Sequence, residues 1–150
     1  MVTPLKNRAS DEQEPGAPLR HRLTWDTADN PIAGARVAVR ALLARAGHHP
    51  DHRTSQDAQL VVSELVTNAV RHAPGPGGLS LEVSPDAGLL RIAVSDGSHR
   101  PPVLPTYDPG RVGGHGLHLV TRLCGRLITR EQETGKLVVA HLRLRDPTAH

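Results

Sequence analysis

Between Leu60 and Ala73 the chain reads LVVSELVTNAVRHA, and its spacing of apolar residues is that of one amphipathic helix. At about 100° per residue, Val62, Leu65, Val66, Ala69 and Ala73 share one face suited to a core. Glu64, Asn68 and His72 stack at i, i+4, i+8 on another side, with Arg71 and Asp57 beside them. An asparagine is a mediocre helix former because its amide competes for backbone groups. Its place one turn after a carboxylate suggests a placed ligand. The same stripe is equally well read as a solvated surface with an i, i+4 Glu–Asn contact.

Whatever this helix packs against must be aliphatic, because the chain has no Phe, one Trp and one Tyr. Its 150 residues suit one domain with a two-layer core. The lone Cys124 excludes an internal disulfide, fits a reducing compartment, and reads as a small core residue rather than a nucleophile. No stretch approaches the roughly 20 apolar residues of a membrane span, so a cytoplasmic protein is expected. The net charge of +3 raises the question of nucleic acid. Arg residues dispersed among acids and the near absence of stacking aromatics argue against that partner. The ten His residues are scattered without metal-ligand spacing.

In chain order, residues 1–18 are rich in Pro, charge and small polar residues and are predicted to be a disordered tail. Residues 19–145 form the domain, and 146–150 a short C-terminal tail. Leu19 to Trp25 alternates as a strand. Asp29 or Asn30 can cap a following helix that runs to Ala46, with Pro31 in its first turn. Thr54 to Asp57 has the form of a capping box for the helix described above. Two short strands, Leu79–Ser84 and Leu89–Ser95, flank Pro85-Asp86-Ala87-Gly88 as a hairpin. After Asp96-Gly97-Ser98, residues His99 to Gly113 read as a mobile loop. Gly113-Gly114-His115-Gly116 opens a helix over roughly Leu117 to Cys124. Leu127–Arg130 and Lys136–Leu144 close the chain as an antiparallel pair. Helices segregated from hairpin-linked strands predict an α+β fold, a two-layer sandwich whose mixed, mostly antiparallel sheet is covered on one face.

Asp96-Gly97-Ser98 places a carboxylate at the end of an apolar strand, able to accept hydrogen bonds inside a pocket; it is also ordinary turn chemistry. Without a ligand, Asp96 is expected to be an unpaired buried acceptor. The Gly-rich turn before Leu117 exposes backbone N–H groups at the positive end of a helix dipole, where phosphate oxygens can approach closely. Each motif alone is weak.

Their order and spacing resemble the Bergerat-fold ATPases, the superfamily of gyrase, heat-shock chaperone, histidine kinase and mismatch-repair ATPases. SELVTNAVRHA resembles the N box, SDGS the first glycine box and GGHGL the second, over about Leu19 to Leu144. Within the superfamily the chain looks most like small stand-alone anti-sigma-factor serine kinases of actinobacterial type. Nothing resembles the dimerisation helix and phospho-acceptor His of a complete sensor kinase.

The resemblance implies ATP and Mg²⁺ as ligands. Glu64 would be the general base and Asn68 the metal ligand. Asp96 would accept from the adenine amine, with Gly97 beside it. Gly114, His115, Gly116 and Leu117 would cradle the phosphates, and Arg71 and His72 would lie near them. His99 to Gly113 would be a lid. Two departures stand out: Ser98 where many relatives have glycine, and Leu137 where relatives often place a hydroxyl near adenine. The implied function is an anti-sigma-factor serine/threonine protein kinase that phosphorylates a small antagonist protein and sequesters a sigma factor. The alternative is a nucleotide-responsive protein-binding module with little or no phosphotransfer. A homodimer is implied, with Leu19 to Ala46 as the candidate surface.

Overall fold

Apolar alternation along four segments, with a fifth, exposed strand at the edge, builds one sheet whose inner face carries the helices. In the computed structural model, residues 17–27, 29–102 and 116–144 are described. The elements are β1 (Leu19–Trp25), α1 (Ile32–Arg45), α2 (Arg53–His72), β2 (Gly77–Val83), β3 (Leu89–Asp96), α3 (Gly116–Cys124), β4 (Ile128–Gln132) and β5 (Gly135–Arg143). The strand order is β1-β2-β3-β5-β4. Each described pairing is antiparallel, so the sheet is wholly rather than mostly antiparallel. The α+β two-layer expectation stands. No described helix is long and apolar enough to cross a membrane.

Period-2 alternation decides the inner face. Leu79, Leu81 and Val83 of β2, Leu90, Ile92 and Val94 of β3, and Val138, Ala140 and Leu142 of β5 are all buried against the helices. From the other layer, Val39, Leu42 and Leu43 of α1 and Val61, Val62, Leu65 and Val66 of α2 complete the same aliphatic core. Leu117 and Val120 of α3 join it. Trp25 lies over Gly77, its strand partner, where a side chain would run into the indole.

The helix starts meet the sequence expectation only in part. Pro31 is the N-cap of α1 and has no side-chain cap of its own; Asn30 Oδ1 accepts the Ile32 N–H at 3.4 Å, while Asp29 accepts the Asp26 N–H at 2.8 Å. The Thr54–Asp57 capping box does not form. α2 begins earlier, at Arg53 after His52, and Thr54 and Ser55 are buried within its first turns. Ser55 is drawn to the core side with Ala58, which removes its hydroxyl from any capping position.

The β2–β3 hairpin is held by its own turn. Ser84 Oγ donates to Asp86 Oδ1 at 2.6 Å, and the Gly88 N–H donates to the same oxygen at 2.9 Å. These bonds, the Ser84 bond above all, hold the Asp86 carboxyl below the usual carboxylate range. His48, 1 % exposed, reaches the Ala87 carbonyl with Nε2 at 3.2 Å and ties the turn to the end of α1.

At the opposite end of β3 the sheet is tighter still. Gly135 opens β5 against the carbonyl of Asp96 and the Cα of Gly97, so any Cβ there would collide with backbone. Backbone cannot swing aside as a side chain can. Gly135→Ala is therefore expected to cost about 1–3 kcal/mol, measured by urea denaturation, as overpacking does. A variant as stable as wild type would mean that the strand ends separate freely.

Candidate functional site

Burial of the apolar side of α2 sets which way its polar stripe points. Val62, Leu65, Val66, Ala69 and Ala73 are all buried, so Glu64 and Asn68 are left half-buried at the border of the core. They lie about 40° apart around the helix, one turn from each other. Glu64 extends to the first residue of α3: a Cβ on Gly116 would overlap its carboxylate. Glycine at this position is what lets the carboxylate and the helix start meet. At its other end α3 brings Cys124 within the field of Asp57, so α2 and α3 run in opposite directions.

The end of β3 supplies the second half. Asp96 stands directly opposite Lys136 in the β3–β5 register. Lys136 Nζ donates to Asp96 Oδ1 at 3.0 Å and lies 2.9 Å from Oδ2 as an ion pair. The two side chains are only 3 % and 4 % exposed. The Ser98 N–H also donates to Asp96 Oδ1, at 2.8 Å. The expectation of an unpaired Asp96 is thus corrected, since a lysine and a turn amide already serve it. The turn chemistry of Asp-Gly-Ser is realised alongside.

Lys136 is the residue that sequence reading missed. Leu137, taken for the position beside adenine, pairs with Ser95 and so belongs to the opposite face of β5. The available signal was alternation: Val138, Ala140 and Leu142 face the core, and Lys136 continues their series.

A cleft of ≈ 160 Å³ opens where these parts converge, lined by Asn68, His72, Ser98, Lys136 and the segment from Arg100 to Pro102. Arg71 is exposed near the end of α2 and does not line it. Gly97 is exposed, and Leu117 is buried in the core behind the helix start. Gly114 and His115 lie outside the described residues, as do residues 103–113 of the expected lid and residues 1–16 of the expected tail. The polar groups that line the cleft, with Glu64 one turn from Asn68 and Asp96 paired to Lys136, suit a nucleotide with a hard metal ion. Asn68 and Glu64 offer oxygen donors, the Lys136–Asp96 pair offers donors and acceptors, and a glycine-opened helix end faces Glu64.

Cys124 takes no part. It is half-buried on α3, and burial, assisted by Asp57, pushes its thiol up to about 11.

The profile of the histidine kinase-like ATPase domain family matches residues 25–142. Among solved structures, the RsbU and RsbW domains of Rv1364c from Mycobacterium tuberculosis share the fold, with a TM-score of 0.60 at 22% identity. That match covers 83% of this chain and 32% of the other, so the chain spans about a third of that structure's length. A search of curated proteins gives no significant match.

Two outcomes follow from this geometry. Replacing one member of the buried pair, by Asp96→Asn or Lys136→Met, should cost about 3–5 kcal/mol in urea denaturation, because the other charge is stranded. The double variant should recover most of that loss; equal losses in single and double variants would mean that the ion pair does not couple. Iodoacetamide at pH 8 should label Cys124 far more slowly than a free cysteine, since the thiolate appears only as pH approaches 11. Labelling at the free-cysteine rate would contradict this.

Proposed function

Because the chain belongs to the histidine kinase-like ATPase domain family, we propose that it is an ATP-dependent protein serine/threonine kinase of anti-sigma-factor type. The single observation that supports phosphotransfer is the meeting of the Glu64 carboxylate with Gly116 at the start of α3. A candidate base and a candidate phosphate cradle then lie together, one turn from Asn68 on the cleft wall.

On this reading the γ-phosphate lies at the N-terminus of α3, where Gly116 and Leu117 present backbone N–H groups with Gly114 and His115 before them. Mg²⁺ would take the side-chain oxygen of Asn68 and neutralise phosphate charge. Glu64 takes the proton of the incoming serine hydroxyl. The serine oxygen bonds to the γ-phosphorus as the bridging P–O bond breaks and ADP leaves. Asp96 and Lys136 receive the base, and His72 flanks the cleft.

The substrate is a small antagonist protein, the sequestered partner a sigma factor, and the setting the cytoplasm. Self-association would use β1 and α1, where a groove of ≈ 250 Å³ runs past His21, Val37 and Arg45 and Val37 is 53% exposed.

A second reading is favoured by one observation. Asp96 is already engaged by Lys136, which suits a nucleotide-responsive binding module with little or no phosphotransfer. Two variants separate the readings. Asn68→Ala should lose Mg²⁺-dependent ATP binding and turnover together. Glu64→Gln keeps the size, removes the base and relieves repulsion of the phosphates. It should bind ATP at least as well as wild type while phosphorylation falls by about 10²–10⁴. Phosphorylation of a serine substrate within about twofold of wild type in Glu64→Gln would make the carboxylate a helix-surface group and favour the binding module.

A further inference from the structure

The hydrogen-bond capacity of the Asp96–Lys136 pair is not exhausted. Asp96 Oδ1 accepts twice, from the Ser98 N–H at 2.8 Å and from Lys136 Nζ at 3.0 Å. Oδ2 lies 2.9 Å from the same Nζ as an ion-pair contact and has no other partner among the described residues. A carboxylate oxygen takes about two donors, so Oδ2 retains one acceptor site. An ammonium has three N–H groups, and the carboxylate engages at most two of them. At least one donor therefore remains next to an acceptor, and Lys136 lines the cleft with Asp96 paired to it.

Burial makes the lysine costly. At 4 % side-chain exposure its charge is stripped of water, and an apolar replacement of the whole pair would hold this strand end as well or better. A function in recognition accounts for what stability does not. Adjacent donor and acceptor groups also mark the edge of adenine, where the 6-amino group donates and ring N1 accepts.

We propose that Lys136 is a base-specificity residue, its free N–H donating to adenine N1 while Asp96 Oδ2 accepts from the 6-amino group. This rests on the nucleotide-binding reading above. It adds to that reading a direct ligand contact from β5, at a position where the family resemblance points to a neighbouring hydroxyl. Guanine presents O6 and N1–H instead, so the two purines are told apart by which member of the pair meets which group.

Calorimetric titration of the full chain with ATP, GTP and 1-deaza-ATP, in which a C–H replaces N1, tests it. Wild type should bind 1-deaza-ATP about 10- to 100-fold more weakly than ATP, the range for a hydrogen bond to a charged group. In Lys136→Met, ATP should weaken to the same level and the penalty for losing N1 should fall to about twofold or less. Equal binding of ATP and 1-deaza-ATP by wild type would overturn the proposal, and this arm holds even if the variant fails to fold. A full penalty persisting in Lys136→Met, tighter ATP binding by that variant, or GTP bound as tightly as ATP would overturn it too. Wild type that binds no nucleotide at all would instead sink the functional reading on which it rests.

Discussion

The helical wall of the site follows from how α2 is rotated about its own axis. Its buried series Val61, Val62, Leu65, Val66 and Ala69 is at most 3% exposed. Each large aliphatic group buried this way contributes about 1.5–3 kcal/mol. An i, i+4 polar contact on the other side of the helix contributes about 0.2–0.5 kcal/mol. The core therefore decides the rotation, and Asn68 is carried to the cleft wall, with Glu64 one turn before it, whether or not anything binds there. A polar stripe placed by apolar forces can be composed for chemistry instead of stability. This removes the main objection to an asparagine in mid-helix.

The same reasoning explains what could be read from the sequence. Period and turn chemistry are local, so α2, the β2–β3 hairpin and the chain-closing strand pair were legible, with ends shifted by a residue or two. The Gly116 helix start was legible because glycine before an apolar period is itself a local signal. Lys136 was not, because its partner lies 40 positions away and only the β3–β5 register brings them together. A shift of one residue along β5 exchanges Lys136 for Leu137 and the inner face for the outer. The capping box failed for a related reason: Thr54 and Ser55 have the right composition for a cap, and tertiary burial claimed them first.

The end of β3 shows how close backbone contact and charge are combined. Gly135 lets β5 start against the Asp96 carbonyl, and this close start puts Lys136 directly across from Asp96. The carboxylate in turn fixes the turn beyond it through the Ser98 N–H, and Ser98 Oγ accepts the Arg100 N–H at 3.1 Å. One buried ion pair thus organises the strand end, the turn and the first part of the segment that lines the cleft. A pair of hydrophobic residues could fasten the strands, yet it could not hold the turn amide or offer a donor and an acceptor to a ligand.

The opposite wall poses an electrostatic problem that bears on the order of binding. The Glu64 carboxylate already lies at the start of α3, where the helix dipole favours a single negative group. On the proposed reading a phosphate must come to the same place. Two unit charges of like sign 4 Å apart repel by about 4 kcal/mol at an effective dielectric near 20, several times the 0.3–1 kcal/mol that a helix end typically returns to one of them. The helix N–H groups alone cannot offset this. A cation between the carboxylate side and the phosphates can, and the adjacent oxygen donor on that wall is Asn68, one turn along the helix. On the proposed reading, the carboxylate that would serve as a base is therefore also the reason that phosphate binding would be coupled to metal binding.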